Sequence, residues 1–182
     1  MLGASMRCES VYGGEVGMTD RHDTSGARPL LDAALLAGLT AADGEVSVDF
    51  ASGDPAYPRV AIVAAERIGD DARTAAIAAL IALGYTVSDL AFVEIDAAAG
   101  EGTLRATLDT LDPESIVTVD ARAAGAVEAA FPASPGENDV PRVVGGRRIV
   151  GLGDLAGSLG STATKREVWG RFKLVSPRGP VY

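Results

Sequence analysis

The chain has 182 residues, 47% of them hydrophobic and only 5% aromatic, a size that suits one domain built around one well-buried core. A net charge of −9 excludes a broad duplex-DNA-binding face, whose affinity would come from clustered Lys and Arg releasing counterions. The lone Cys8 excludes an intrachain disulfide and a four-thiolate metal or iron–sulfur site, and no apolar run nears the roughly 20 residues that span a bilayer.

Met1 to Thr24 has no charged start followed by an apolar run, so a cytoplasmic location without membrane attachment is expected. Residues 1–27 mix Gly, Ser, Thr and charges without period and read as a loosely ordered arm, leaving 28–182 as a single α/β domain. The only histidine, His22, lies in that arm between Asp20 and Asp23 and reads as solvated. Pro29 to Leu39 has a proline at its start, Leu at helical spacing and Gly38 near its end, the marks of a short amphipathic helix. Turn chemistry at Asp43-Gly44, Gly53-Asp54-Pro55 and Pro58 brackets a short strand over Val46–Phe50.

The compact apolar run within Arg59–Ala65 predicts the first strand of the main sheet, covered on both faces. After Glu66-Arg67-Ile68-Gly69-Asp70-Asp71, a helix is predicted over Thr74–Leu83, stopped at Gly84. A strand over Asp89–Ile95, a helix over Thr103–Leu111 ended by Asp112-Pro113, a strand over Ser115–Val119 and a helix over Ala121–Phe131 follow. Two β-prone runs then meet at Gly145-Gly146, and a glycine-rich loop leads into a basic helix over Lys165–Lys173. Strands alternating with helices at this spacing predict a three-layer α/β/α domain with a short, mostly parallel, four-stranded central sheet. Function is then expected in the loops at the strands' carboxyl ends: 66–71, 96–102, 120–122 and 151–161.

Gly151-Leu152-Gly153-Asp154-Leu155-Ala156 matches the G-x-G-x-x-A pattern of dinucleotide-binding turns. It stands at the end of the sheet, with no second strand and ribose-binding acid after it, so a plain loop is favoured and no cofactor is expected. Ser158, Ser161, Thr162 and Thr164 supply hydroxyls, but no imidazole accompanies them outside the amino-terminal arm. Glu66, Asp70 and Asp154 are the candidate acid–base residues, and a solvated acidic rim is the simpler account of them. No metal site is expected. Gly69, Glu94, Gly151 and Gly153 are candidate ligand contacts, and Arg147, Arg148, Lys165 and Arg166 a candidate basic patch.

Three landmarks carry a resemblance. Ala65-Glu66-Arg67-Ile68-Gly69 after the first strand looks like a G-E-A-P-G segment; Leu111-Asp112-Pro113-Glu114-Ser115-Ile116-Val117 with Ala123-Ala124 looks like "L-x-P-K-x-I-V" before an Ala-rich helix; and Lys165-Arg166-Glu167-Val168-Trp169 to Phe172-Lys173 looks like a closing "K-R-x-V-W-x-x-L-K" helix. From Ile62 onward the chain thus resembles the uracil-DNA glycosylase superfamily, especially its thermophilic, iron–sulfur bacterial members. The resemblance implies a glycosylase-like fold and a setting in DNA replication or repair, with a protein partner, single-stranded DNA or a nucleotide as binding partner.

The departures fall on the chemistry. The family's His-Pro loop, whose imidazole stabilises the departing base, here reads Leu152-Gly153-Asp154-Leu155. Ile68 stands where the family's first motif has proline, Ala72 falls near its second acidic position, and the ring that stacks on the flipped base has no counterpart. Phe92-Val93-Glu94-Ile95 replaces the amide that reads uracil, and the cluster cysteines are missing. Sequence alone therefore predicts a catalytically degenerate glycosylase-like domain that binds or scaffolds. A divergent glycosylase or hydrolase using carboxylates, and a small nucleotide- or phosphate-binding protein using Gly151 to Gly160, are the alternatives.

Overall fold

A computed structural model describes residues 46–53, 56–96, 101–132 and 141–177. The expected arm over 1–27 and helix over Pro29–Leu39 lie outside the described residues. The described elements are strands β1 (Val46–Phe50), β2 (Val60–Ala64), β3 (Leu90–Ile95), β4 (Ser115–Thr118), β5 (Arg142–Val144) and β6 (Arg147–Gly151). Helices are α1 (Asp70–Ala82), α2 (Glu101–Leu111), α3 (Ala121–Ala130), the single turn α4 (Leu155–Ser158) and α5 (Thr162–Phe172).

All six strands form one sheet in the order β1-β3-β2-β4-β6-β5. The expected α/β class holds, but the sheet is not the four-stranded, mostly parallel one predicted. It is mixed: β3, β2, β4 and β6 run parallel, and β1 and β5 are added antiparallel at the two edges. The edges have local causes. β1 alternates buried Val46 and Phe50 with exposed Ser47 and Asp49, the pattern of a strand with one wet side. β5 is only three residues long and exists as one arm of a hairpin on β6, closed at Gly145 (φ +58°) and Gly146 (φ +83°). Both turn residues have positive φ, as the hairpin's twist demands, which is why a Gly-Gly pair serves there.

The central strands are buried on both faces. Along β2, Ala61 and Val63 face a core shared with Leu104, Leu108 and Leu111 of α2 and Ala123, Val127 and Ala130 of α3. Val60, Ile62 and Ala64 face the opposite core, with Ala72, Ala76 and Leu80 of α1 and Val168 and Phe172 of α5. In each helix the buried residues recur at three- and four-residue spacing, one stripe per helix. The small side chains at Ala61, Ala64 and Ala91 match the alanines of α1 and α3, so volume is filled by close approach of elements. Phe172 is a core residue, and Trp169 packs against the same cluster while only partly buried.

Helix starts fall earlier than predicted. α1 begins directly after Gly69 and α5 at Thr162, because Asp70 and Asp71 suit a first turn and the Ser161 hydroxyl caps α5 by accepting from the Ala163 amide at 3.2 Å. The amino edge of the sheet is closed by polar ties. Arg59 holds Glu114 through two 2.8 Å hydrogen bonds, joining the starts of β2 and β4, and Arg147 bonds Asp109 and Asp112. The Glu114 hydrogen bond raises the Arg59 pKa, outweighing burial that acts against it. Tyr85 donates to the Val175 carbonyl, and burial pushes its phenol above the ordinary value. No helix among the described residues is long and apolar enough to cross a membrane.

Candidate functional site

From β2 the chain passes first to β3 on one side and later to β4 on the other, so β2 and β4 meet at a topological switch point. The helices that follow them diverge, α1 onto one face and α3 onto the other, and this opens a crevice at the strands' carboxyl ends. A cavity of about 350 Å³ occupies it. Its floor is apolar, from Ala64, Ala72, Val119 and Leu155, and its rim carries Glu66, Arg67, Arg122 and Asp154. A second cavity, of about 380 Å³, adjoins it toward β3 and is lined by Glu94 and Asp96. Ala65, Glu66, Arg67 and Arg122 line both, so the two form one cleft.

Five acidic side chains line this cleft, Glu66, Glu94, Asp96, Asp120 and Asp154, each following or ending a parallel strand. Asp120, absent from the sequence-based candidates, is the most committed. One carboxylate oxygen accepts from the Ala123 amide at 2.7 Å, capping α3, and the other accepts from the Ala65 amide at 2.9 Å, pinning the end of β2. An Asp immediately before an Ala-rich helix is an N-cap signal in the sequence; its second bond, across to β2, has no local signature.

Glu94 accepts from the Ile68 amide at 3.2 Å and so holds the loop that carries Glu66 and Gly69. Asp154 accepts from the Gly157 amide at 2.8 Å as the cap of α4. A side chain at 157 would collide with it: a Cβ there would lie 2.3 Å from the carboxylate. Glu66 is exposed and makes no hydrogen bond or ion pair among the described residues.

The remaining candidates are dispersed. Asp70 is exposed in the first turn of α1, after Gly69, which caps that helix through its backbone alone. Gly151 ends β6, and Gly153 adopts φ +78° at the turn into α4. Gly153 lies in a separate cavity of about 380 Å³ between that turn and α5, where Arg171 donates to the Gly151 carbonyl and to Glu167. The structure does not gather the four predicted basic residues into one patch of free charge. Arg147 and Arg148 lie on the strand, Arg147 bonded to Asp109 and Asp112 and Arg148 to the Ser176 carbonyl, whereas Lys165 and Arg166 are exposed on α5.

The arginines divide clearly. Arg59, Arg73, Arg105, Arg142, Arg147, Arg148 and Arg171 each bond a carboxylate or a backbone carbonyl. Arg67, Arg122 and Arg166 make no such bond among the described residues. Two of these three stand on the cleft. Among the described residues no three His, Cys, Asp or Glu side chains are placed to hold a metal ion. No model of a known protein family and no curated protein matches this chain.

Proposed function

We propose that the chain is a glycosylase-like α/β domain whose catalytic centre has degenerated, that it acts by binding, and that its seat is the cleft between β2 and β4. The observation that carries this reading is the employment of the acids. Asp120 gives both carboxylate oxygens to backbone amides that shape the cleft, and Asp154 and Glu94 give one each, so these acids serve as structural acceptors there. Among the described residues, Glu66 is the acid lining the cleft whose carboxylate makes no hydrogen bond or ion pair. The kinship with glycosylases is supported by the landmarks at Glu66 and Gly69, at Leu111 to Val117 and at Lys165 to Lys173, and by their positions after β2, around β4 and on α5. The setting in DNA replication or repair rests on that resemblance.

The test is incubation of the full chain and of Glu66→Gln with single strands containing uracil or hypoxanthine, followed by assay of free base. The expected outcome is no release above the buffer blank from either protein. Release by the unaltered chain that Glu66→Gln abolishes overturns the binding reading in favour of a carboxylate-dependent hydrolase.

A further inference from the structure

We infer that the cleft seats a small phosphomonoester with a flat apolar body, a nucleoside monophosphate, whose phosphate lies between Arg67 and Arg122. The inference rests on the cleft being a binding seat, as proposed above. In this chain of net charge −9, seven of the ten arginines among the described residues are tied to carboxylates or carbonyls, and of the three that are not, Arg67 and Arg122 line the junction of the two cavities while Arg166 is exposed on α5. Guanidinium forks suit oxyanions, and two of them offer more donors than a single carboxylate can accept, whereas a phosphate monoester presents three terminal oxygens.

The acids on the same cleft set the rest of the ligand. Asp120 gives both oxygens to amides and Asp154 gives one, so their charge is partly met by backbone donors. Glu66 remains as an acceptor on the rim and asks for N–H donors from the ligand. The residues Ala64, Ala72, Val119 and Leu155 give the cavity an apolar floor, and a volume of about 350 Å³ is at the small end of ligand pockets. A planar heterocycle on that floor, with ring and exocyclic N–H groups toward Glu66 and a phosphate toward the arginines, satisfies all three. Guanine offers such a donor pair, so guanosine 5′-monophosphate is the probe.

Calorimetric titration of the full chain with this nucleotide, guanosine, inorganic phosphate and a 12-residue DNA single strand tests the assignment. The nucleotide is expected to bind, guanosine at least about tenfold more weakly, as the loss of charge-assisted hydrogen bonds implies. Arg67→Ala and Arg122→Ala should each weaken the nucleotide about tenfold and leave guanosine unchanged, with Arg166→Ala without effect. Unchanged melting temperatures are expected for all three variants, since none of these side chains has a bonded partner among the described residues. No binding, equal affinity for nucleotide and guanosine, or indifference to both cleft arginines overturns the inference. The single strand binding more tightly through the same arginines overturns the small-ligand assignment. Base release from uracil-containing DNA would sink the degenerate reading and leave this seat standing; arginine-independent nucleotide binding would do the reverse.

Discussion

Asp120 shows how much one side chain contributes when it serves two elements. Its two hydrogen bonds cap α3 and hold the amide of Ala65, which ties the ends of β4 and β2 together. Losing a cap costs about 1 kcal/mol, and leaving a buried amide without its acceptor costs about 1–3 kcal/mol more. Asp120→Ala is therefore expected to lower the unfolding free energy by about 2–4 kcal/mol, read as a fall in urea midpoint at unchanged slope. Asp120→Asn keeps one acceptor and turns an NH₂ toward the other amide, so it should lose about half as much. Equal loss from both variants would show that charge, and not the pair of acceptors, carries the effect. Asp154, a candidate acid–base residue by its sequence position, is a cap as well. The Asp-Leu-Ala-Gly-Ser order signals that role, but the surrounding glycines read more strongly as a loop.

At the scale of elements, most helices and strands were legible because their patterns are local. The stripe Leu104, Leu108, Leu111 and the run Val60–Ala64 need no distant partner to be recognised. Pairing was not legible in the same way: Val46 lies opposite Ile95 and Phe50 opposite Ala91, a register set by chain segments over forty residues apart. The two edge strands were thus visible as β-prone runs, yet the count and direction of strands in the sheet were not. The β5–β6 hairpin tests how far a local signal determines an element. Both turn positions have positive φ, so Gly146→Ala is expected to cost about 1–2 kcal/mol in chemical denaturation. Gly145→Asn gives the Asn-Gly pair favoured at such turns and should stay within about 0.5 kcal/mol of the parent chain. An equal loss for Asn at 145 would mean that the strands, and not the turn, dictate the backbone there.

The whole molecule is polarised along its strands. At the amino edge, arginines are matched by Glu114, Asp109 and Asp112, while the cleft at the carboxyl edge is lined by Glu66, Glu94, Asp96, Asp120 and Asp154 against Arg67 and Arg122. The sequence showed the net charge and the acids after each strand, but the matching of Arg147 with α2 required the fold to bring residues 35 and 38 positions apart together. Salt acts oppositely on the two edges. Screening weakens exposed ion pairs, each contributing about 0–1 kcal/mol, and relieves repulsion within the acidic edge. With a net charge of −9 the relief is the larger effect, since pairs gain little from one another while every excess carboxylate repels all the rest. Raising sodium chloride from about 20 to 300 mM, which shortens the screening length to below about 10 Å, is therefore expected to raise the melting temperature by about 2–4 °C, equivalent to about 1 kcal/mol for a chain of this size. Glu66→Gln removes one unengaged charge from the crowded edge and should shrink that rise, whereas the same change at Glu114, which breaks a matched pair, should not. A melting temperature that falls with salt would place the balance with the amino-edge pairs, and the cleft's acids would then have to be compensated by cations within the fold and not by a ligand or the solvent.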